Sequence, residues 1–301
     1  MSNKQLNLFI PIVGEAATKD QQDLMSYPCF SLSKRKRSKP ISFKSGDSWI
    51  KVTPDSEYGM AQIWDADVLI YCASLLKHMQ KKGIEINFPI KFRGNDLLSF
   101  VGRPTNDKGY ERLRSALSRL KGTTIRTNIR LQDGLGKYHE FNWISEWHED
   151  YRLITDTKTG KKKKISDGFE VNLPQWFIEG VLEDRLVLTI TPEYFEITGG
   201  ISRWLYRLCR KHCGKQAQWI ISVRGLHQRS GSTGTYREFK RKLKKAVEDG
   251  IPQYDLVLAE IDGTEKLHVS RDPLHPLYDL EKVLAYSKPK KTVSNSATAI
   301  E

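Results

Sequence analysis

The chain has 301 residues and a mass of 34.7 kDa, a length that suits two domains at roughly 100 to 200 residues per domain. Lys and Arg number 49 against 36 Asp and Glu, so the formal charge of +13 and a pI near 9.4 attract polyanions and make nucleic acid the first partner implied. Hydrophobic residues at 39% and aromatic residues at 10% exclude a disordered basic tail.

No run reaches the roughly 18 to 20 apolar residues that span a bilayer, and Met1 to Ile10 lacks the pattern of a secretory leader, so no membrane role is expected. Four scattered cysteines, Cys29, Cys72, Cys209 and Cys213, cannot make a disulfide framework and imply a reducing compartment.

Residues 1–54 read as an N-terminal segment that is β-rich and basic. It combines short β-prone pieces (Cys29 to Leu32, Ile41 to Phe43, Trp49 to Val52) with the loop Lys34-Arg35-Lys36-Arg37-Ser38-Lys39-Pro40, a solvated basic run or a phosphate contact. From Asp65 to Lys82 the residues Val68, Leu69, Cys72, Leu75, Leu76 and Met79 recur at helical spacing and Gly83 caps the end. Ile86 to Phe92 alternates as a strand, and Asp96 to Val101 makes a short helix. Thr105 or Asn106 then caps a second long helix ending near Gly122. Thr123 to Arg130 and Lys137 to Trp147, separated by Asp133-Gly134-Leu135-Gly136, read as a hairpin. Helix, strand, helix, helix, hairpin is the winged-helix order, assigned to residues 55–150.

Asp150 to Asn172 reads as a further hairpin within a linker region over residues 151–190, with Lys161 to Lys164 as a solvated turn that adds affinity for DNA without reading sequence. The winged-helix order then returns in residues 191–272. Pro192 to His212 is a helix, Gln218 to Val223 a strand, Gly225 to Arg229 a short helix and Thr235 to Glu248 a strongly basic helix. Pro252 to Ile261 and Glu265 to Val269 form a hairpin around Asp262-Gly263-Thr264. Residues 273–301 form a C-terminal tail expected to be partly disordered. Adding 126 to Tyr110, Leu113, Leu117 and Leu120 gives Tyr236, Phe239, Leu243 and Ala246, one apolar helix face in each case. The expectation is an α+β protein with two tandem winged-helix domains related by internal duplication.

Opposite those apolar stripes, at 100° per residue, stand Lys108, Glu111, Arg112, Ser115, Ser118 and Arg119 in the first helix. The second presents Gly234, Arg237, Glu238, Arg241, Lys244 and Lys245. A helix of this kind fits the major groove, so Arg112, Arg237 and Arg241 are the expected base readers and Glu111 and Glu238 possible selectors against wrong bases. Ser232 and Thr233, in Gly231-Ser232-Thr233-Gly234, offer small hydroxyls and backbone N–H groups to a phosphate at a helix N-terminus. The chain has no G-x-x-x-x-G-K-[ST] loop and no His-x-His, and Cys209, His212 and Cys213 lack an evident fourth ligand. No enzyme activity, cofactor or metal is therefore expected. Trp204, Tyr206, Trp219 and Phe239, at helix or strand spacing, are expected in the core.

The sequence resembles the plasmid replication initiator protein A family from about Met25 to Leu258. The resembling stretches are Met25-Ser26-Tyr27-Pro28-Cys29-Phe30-Ser31-Leu32-Ser33, Asp65-Ala66-Asp67-Val68-Leu69-Ile70-Tyr71, Tyr110 with Arg119-Leu120-Lys121-Gly122-Thr123, Thr127-Asn128-Ile129, Arg203 to Gly214, and Ile251-Pro252-Gln253-Tyr254. The resemblance implies a bacterial cytoplasmic protein with two winged-helix domains that binds direct repeats in double-stranded DNA at a plasmid origin. It further implies origin opening, recruitment of the host initiator and replicative helicase, and monomer and dimer forms that divide initiation from autorepression. A winged-helix transcription regulator is the alternative, and a DNA-nicking enzyme a weaker one.

Overall fold

The computed structural model describes residues 12, 14–131, 136–155, 160, 162–214, 216 and 218–271. The expected tail and most of the Asp133 to Gly136 turn lie outside the described residues. The chain opens with β1 (Lys19–Gln21), α1 (Gln22–Ser26) and the ribbon β2 (Ile41–Ser45) and β3 (Ser48–Thr53). Next come α2 (Ala66–Lys82), β4 (Ile90–Phe92), α3 (Gly94–Phe100) and α4 (Asp107–Gly122). Gly83 ends α2 in the left-handed conformation, φ 65°, where its N–H reaches back to the last carbonyls. Asn106 caps α4, its side chain accepting from the Gly109 N–H at 3.0 Å. Gly109 itself is dictated by space, since a Cβ there would lie 1.9 Å from the Pro104 carbonyl oxygen.

The strands β5 (Thr124–Thr127), β6 (His139–Asn142), β7 (Glu146–Thr155) and β8 (Lys162–Asn172) follow, then α5 (Gln175–Leu182) and β9 (Val187–Thr189). The remainder is α6 (Gly200–His212), β10 (Gln218–Ser222), α7 (Val223–Arg229), α8 (Tyr236–Asp249), β11 (Asp255–Ile261) and β12 (Thr264–Ser270). The expected helix from Pro192 to His212 is two elements: a short 3₁₀ turn over Pro192–Glu196, then α6 from Gly200. The chain passes so close to Leu32 there that a Cβ on Gly200 would meet its carbonyl oxygen at 2.2 Å, so the helix can begin only at a residue without one.

Two three-stranded sheets have the same construction. In one the order is β4-β8-β7 and in the other β10-β12-β11, each preceded by a long helix and interrupted by two helices after its first strand. The hairpin of the first unit is therefore β7–β8, not the 123–147 segment. β5 and β6 do pair, Thr124 opposite Asn142 and Thr127 opposite His139, but they extend β2 and β3 into a separate sheet of order β2-β3-β5-β6. Segment 146–172, placed by the sequence partly in a linker, joins β4 through Ile90 opposite Val171 and Phe92 opposite Phe169. The reason is aromatic packing: Phe169 stacks on Phe92 at 5.8 Å and meets Tyr110 and Trp147 at 6.3 and 6.4 Å.

One apolar core runs through both units, and charged groups inside it join them. On α6, Arg203 and Arg207 stand one turn apart and are both buried. Arg203 Nη1 lies 2.6 Å from Asp67 Oδ1 at the start of α2, and its other nitrogens donate to the carbonyls of Ile197 and Phe195. Arg207 clasps Asp20 of β1 with bonds of 2.7 and 2.9 Å. Removing one partner of such a pair strands the other charge in the interior, at a cost of about 3–5 kcal/mol. Phe100 of α3 meets Phe195 at 5.9 Å across the same junction.

Candidate nucleic-acid interface

α4 buries Leu113, Ala116, Leu117 and Leu120, and Tyr110 packs half-buried at its start. Lys108, Glu111, Arg112 and Ser115 are exposed, as the 3.6-residue period requires. Ser115 is partly spent, its hydroxyl donating to the Glu111 carbonyl one turn back at 3.0 Å. Arg112 lines a cavity of about 380 Å³ shared with Lys34, Trp64, Arg103 and Thr198. Arg119 differs from the expectation. Its guanidinium makes two parallel 2.7 Å bonds to Asp65, whose side chain is 3% exposed. A guanidinium held flat against a carboxylate has no free fork for a guanine edge, so Arg119 fastens α4 to the entry of α2 instead.

α8 buries Phe239, Leu243 and Ala246, the residues expected from the offset. Arg237, Glu238, Arg241, Lys244 and Lys245 are exposed. Thr235 and Glu238 form a reciprocal cap: the Thr235 hydroxyl accepts from the Glu238 N–H at 3.3 Å, and the Glu238 carboxylate accepts from the Thr235 N–H at 2.9 Å. That backbone hydrogen bond, with the Thr235 hydroxyl second, lowers the Glu238 pKa below its ordinary value. Glu238 is thus held to the start of its own helix, which explains the residue without any base contact. Lys245 Nζ reaches Asp249 at 3.1 Å, one turn on, leaving Arg237, Arg241 and Lys244 as the cations of this face that no described ion pair engages.

The Gly231 to Gly234 entry is satisfied from within. Ser232 N–H donates to the Ser230 hydroxyl at 3.1 Å and Gly234 N–H to the Ser232 hydroxyl at 3.2 Å. These two N–H groups are not open to a phosphate, as Ser232 was expected to be, while Thr233 remains exposed at the tip. His227 Nε2 holds the loop from below at 3.1 Å from the Gly234 carbonyl.

Two residues that sequence reasoning passed over hold the candidate helices to their own hairpins. Arg114 of α4 grips Glu149 of β7 through Nε and Nη2 at 2.9 and 2.8 Å, and Lys240 of α8 meets Glu265 of β12 at 2.9 Å. Adding 126 to 114 gives 240, so the offset that aligns the apolar stripes also aligns these anchors. Burial opposes the charge on Glu149, but hydrogen bonds from Arg114 and Lys164 outweigh it and hold its carboxyl down at about 2. No local spacing marks Glu149 in the sequence; only its alignment with Arg114 on a neighbouring element gives it this role.

The basic loop at residues 34–40 is fixed at several points. Lys34 Nζ lies 5.1 Å over the Trp64 ring, and the Lys34 carbonyl accepts from Gln62. Lys36 donates to the Ser56 carbonyl at 2.8 Å. Arg37 donates to three carbonyls, those of Lys39, Pro40 and, at 2.6 Å, Gly231 at the entry to α8. Lys162 to Lys164, expected in a turn, belong to β8, where Lys164 bonds Glu149 and lies 3.9 Å over the Tyr151 ring; Lys161 lies outside the described residues.

Trp204, Tyr206 and Phe239 are buried and Trp219 is half-buried, stacked on His212 at 4.5 Å and 10°. Cys209 and Cys213 are buried and not joined in a disulfide, and among the described residues no group of three or more metal-ligating side chains assembles. No described helix is long and apolar enough to cross a membrane.

Known proteins share both sequence and fold with this chain. A protein of Wigglesworthia glossinidia brevipalpis named "Putative replication protein" is 34% identical over 235 residues, covering 77% of this chain and 82% of that protein. Two crystal structures of domains 2 and 3 of RctB, one of them from selenomethionine derivatives, match with TM-scores of 0.59 and 0.54 at 13% and 12% identity. Each match covers 83% of this chain, with 97% and 96% of the RctB chains, and at that identity it establishes a common fold. The family model of replication initiator protein A matches residues 19–256. That span runs from β1 through α8 to the first residues of β11 and takes in the first three-stranded unit and the buried ion pairs of Arg203 and Arg207, and the protein belongs to the replication initiator protein A family.

Proposed function

We propose that this initiator binds double-stranded DNA in a sequence-specific manner at a replication origin, through two winged-helix units derived from one by duplication. The first unit runs from α2 to β8 and the second from α6 to β12. In this reading α4 and α8 enter successive major grooves, roughly 10 bp apart, and each hairpin lies along the flanking backbone. The observation that carries it is the shared offset of 126: the apolar stripe and the cation that anchors each helix to its hairpin recur at equivalent places, and the opposite face of each helix is exposed.

The outward positions themselves differ. Glu111 corresponds to Arg237, Arg112 to Glu238 and Ser115 to Arg241. Two helices with the same frame and different side chains read different half-sites, which suits direct repeats better than palindromes. Arg112, Arg237 and Arg241 are the base readers, Lys108 and Lys244 contact phosphate, and Glu111 disfavours guanine-rich alternatives. Binding at direct repeats in a bacterial cytoplasm would open the adjacent A·T-rich duplex and recruit the host initiator and helicase. Self-association would convert the chain to a repressor of its own promoter and restrain copy number. The reading assigns the chain no catalytic step, cofactor or metal.

Selection of duplexes from a randomised pool by the full chain tests the reading, followed by footprinting on the enriched sequence. A consensus with two protected grooves on one face is expected; protection limited to about one helical turn counts against two-unit binding. A plasmid bearing the gene and its adjacent repeats should replicate without another origin. Repression of a promoter without such replication would favour the transcription regulator, and nicking of supercoiled origin DNA with Mg²⁺ would favour an enzyme.

A further inference from the structure

The basic loop does not stand apart from the two candidate reading helices; it runs from one to the other. At its start Lys34 lines the same cavity as Arg112 of α4. At its end Arg37 is bonded to the Gly231 carbonyl, where the chain turns into α8. Within the 34–40 loop Arg35, Ser38 and Lys39 are exposed, and no ion pair among the described residues engages Arg35 or Lys39. A flexible cationic loop would carry its charge anywhere. This one is pinned by the Lys36 bond to Ser56 and by three guanidinium bonds from Arg37, which orders the backbone and leaves the two free cations facing solvent.

We propose that this loop is a third DNA-contacting element, a clamp on the phosphodiester backbone of the duplex between the grooves entered by α4 and α8. Arg35 and Lys39 contact phosphate, and Arg37 is a positioning residue that touches no DNA. Where two helices of one protein enter successive major grooves, the stretch of duplex between them presents phosphate rather than base edges to the protein. A fixed pair of cations at that place adds affinity without reading sequence. The inference rests on the two-helix reading above and adds to it a contact that this reading does not need.

Salt titrations of the full chain test it, on the duplex enriched by selection and on its scrambled counterpart. Each phosphate contact contributes about 0.9 to the slope of log affinity against log salt, so Arg35→Ser with Lys39→Ser should lower the slope by about 2. Affinity should fall by the same factor on both duplexes. Arg37→Lys, which keeps the charge and loses the three carbonyl bonds, should also weaken binding on both duplexes, with an unchanged melting temperature of the rest of the chain. Arg241→Ala should instead change the ratio between the duplexes. A double variant that matches wild type in slope and affinity overturns the clamp and leaves the helices' role standing; so does a loss confined to the selected duplex. Unaltered binding by Arg37→Lys overturns the positioning role. A wild-type chain that binds neither duplex overturns both readings.

Discussion

Arg119 of α4 and Asp65 at the start of α2 lie in plane with each other, joined by two 2.7 Å hydrogen bonds. Arg112, seven residues earlier on the same helix and on nearly the same stripe, is exposed. The two arginines share a helix face and differ in setting, one paired with a buried carboxylate and the other exposed, so on the proposed reading their substitution should separate stability from recognition. Arg119→Ala should cost about 3–5 kcal/mol of folding stability by leaving Asp65 buried and unpaired. Arg112→Ala should shift stability by no more than about 0.5 kcal/mol, and cost about 1–3 kcal/mol of discrimination at a single base pair. Urea denaturation and competition binding measure the two quantities; an Arg119 variant of normal stability would return that residue to the interface.

The carboxyl of Glu149 gives a defined acid response. Its folded pKa of about 2 lies below its ordinary value of 4.5, so folding favours the ionised form. The stabilisation is complete above about pH 4.5 and drains away as the pH falls toward 2. Its size is on the order of 3 kcal/mol, from 1.36 kcal/mol per pKa unit, for a side chain that is 5% exposed. Glu149→Gln should be less stable at neutral pH and should lose this part of the acid dependence; melting curves from pH 5 to pH 2 would show an unaltered profile if the pairing with Arg114 and Lys164 were idle.

His212 should respond in a different window. Burial first, then Arg229 and Lys211, push its pKa down from 6.5 to about 4, and the neutral ring stacks on Trp219. Because the folded value is the lower one, the unfolded chain takes up the proton first, and stability falls as the pH drops from about 6.5 to 4. An NMR titration of the imidazole should give a midpoint near 4; a midpoint near 6.5 would mean that the ring is open to water.

Thr235→Ala should lower stability by about 1 kcal/mol, the ordinary value of an N-cap hydroxyl. Glu238→Gln keeps an acceptor for the Thr235 N–H and removes the charge that suits the positive end of the helix, so its loss should be smaller than that of Thr235→Ala. Neither change should alter base preference. A shift in the selected consensus with Glu238→Gln would show that the carboxylate reaches DNA despite its place in the cap.

The long helices were legible from sequence because their determinants are local. The apolar period of α2, α4 and α8 lies within each helix, and Gly83, Asn106 and Thr235 mark their ends where expected. The choice of hairpin was not legible in this way. Residues 123–147 and 150–172 both read as hairpins, so either segment could have supplied the strands beside β4, and the decision came from Phe169 against Phe92. The face of α4 was legible to within one turn, but the partner of Arg119 stands 54 residues away at Asp65, a distance over which periodicity carries no information. The three-residue strands β1 and β9, which pair with each other, are too short to show a pattern at all.

Arg203 ties α6 to Asp67 at the start of α2, and Arg207 ties the same helix to Asp20 of β1. A rotation of one unit against the other would break the Arg203–Asp67 pair, which is out of reach of water, so the proposed two-unit reader would act as a gauge of fixed length. On the reading proposed here, substitutions on the exposed faces of α4 and α8 change which bases are read, while the spacing between the repeats is written in α6. Origins with the right half-sites and the wrong spacing would then have to bend or twist to be bound, and insertion of a few base pairs between half-sites would discriminate as strongly as a base change.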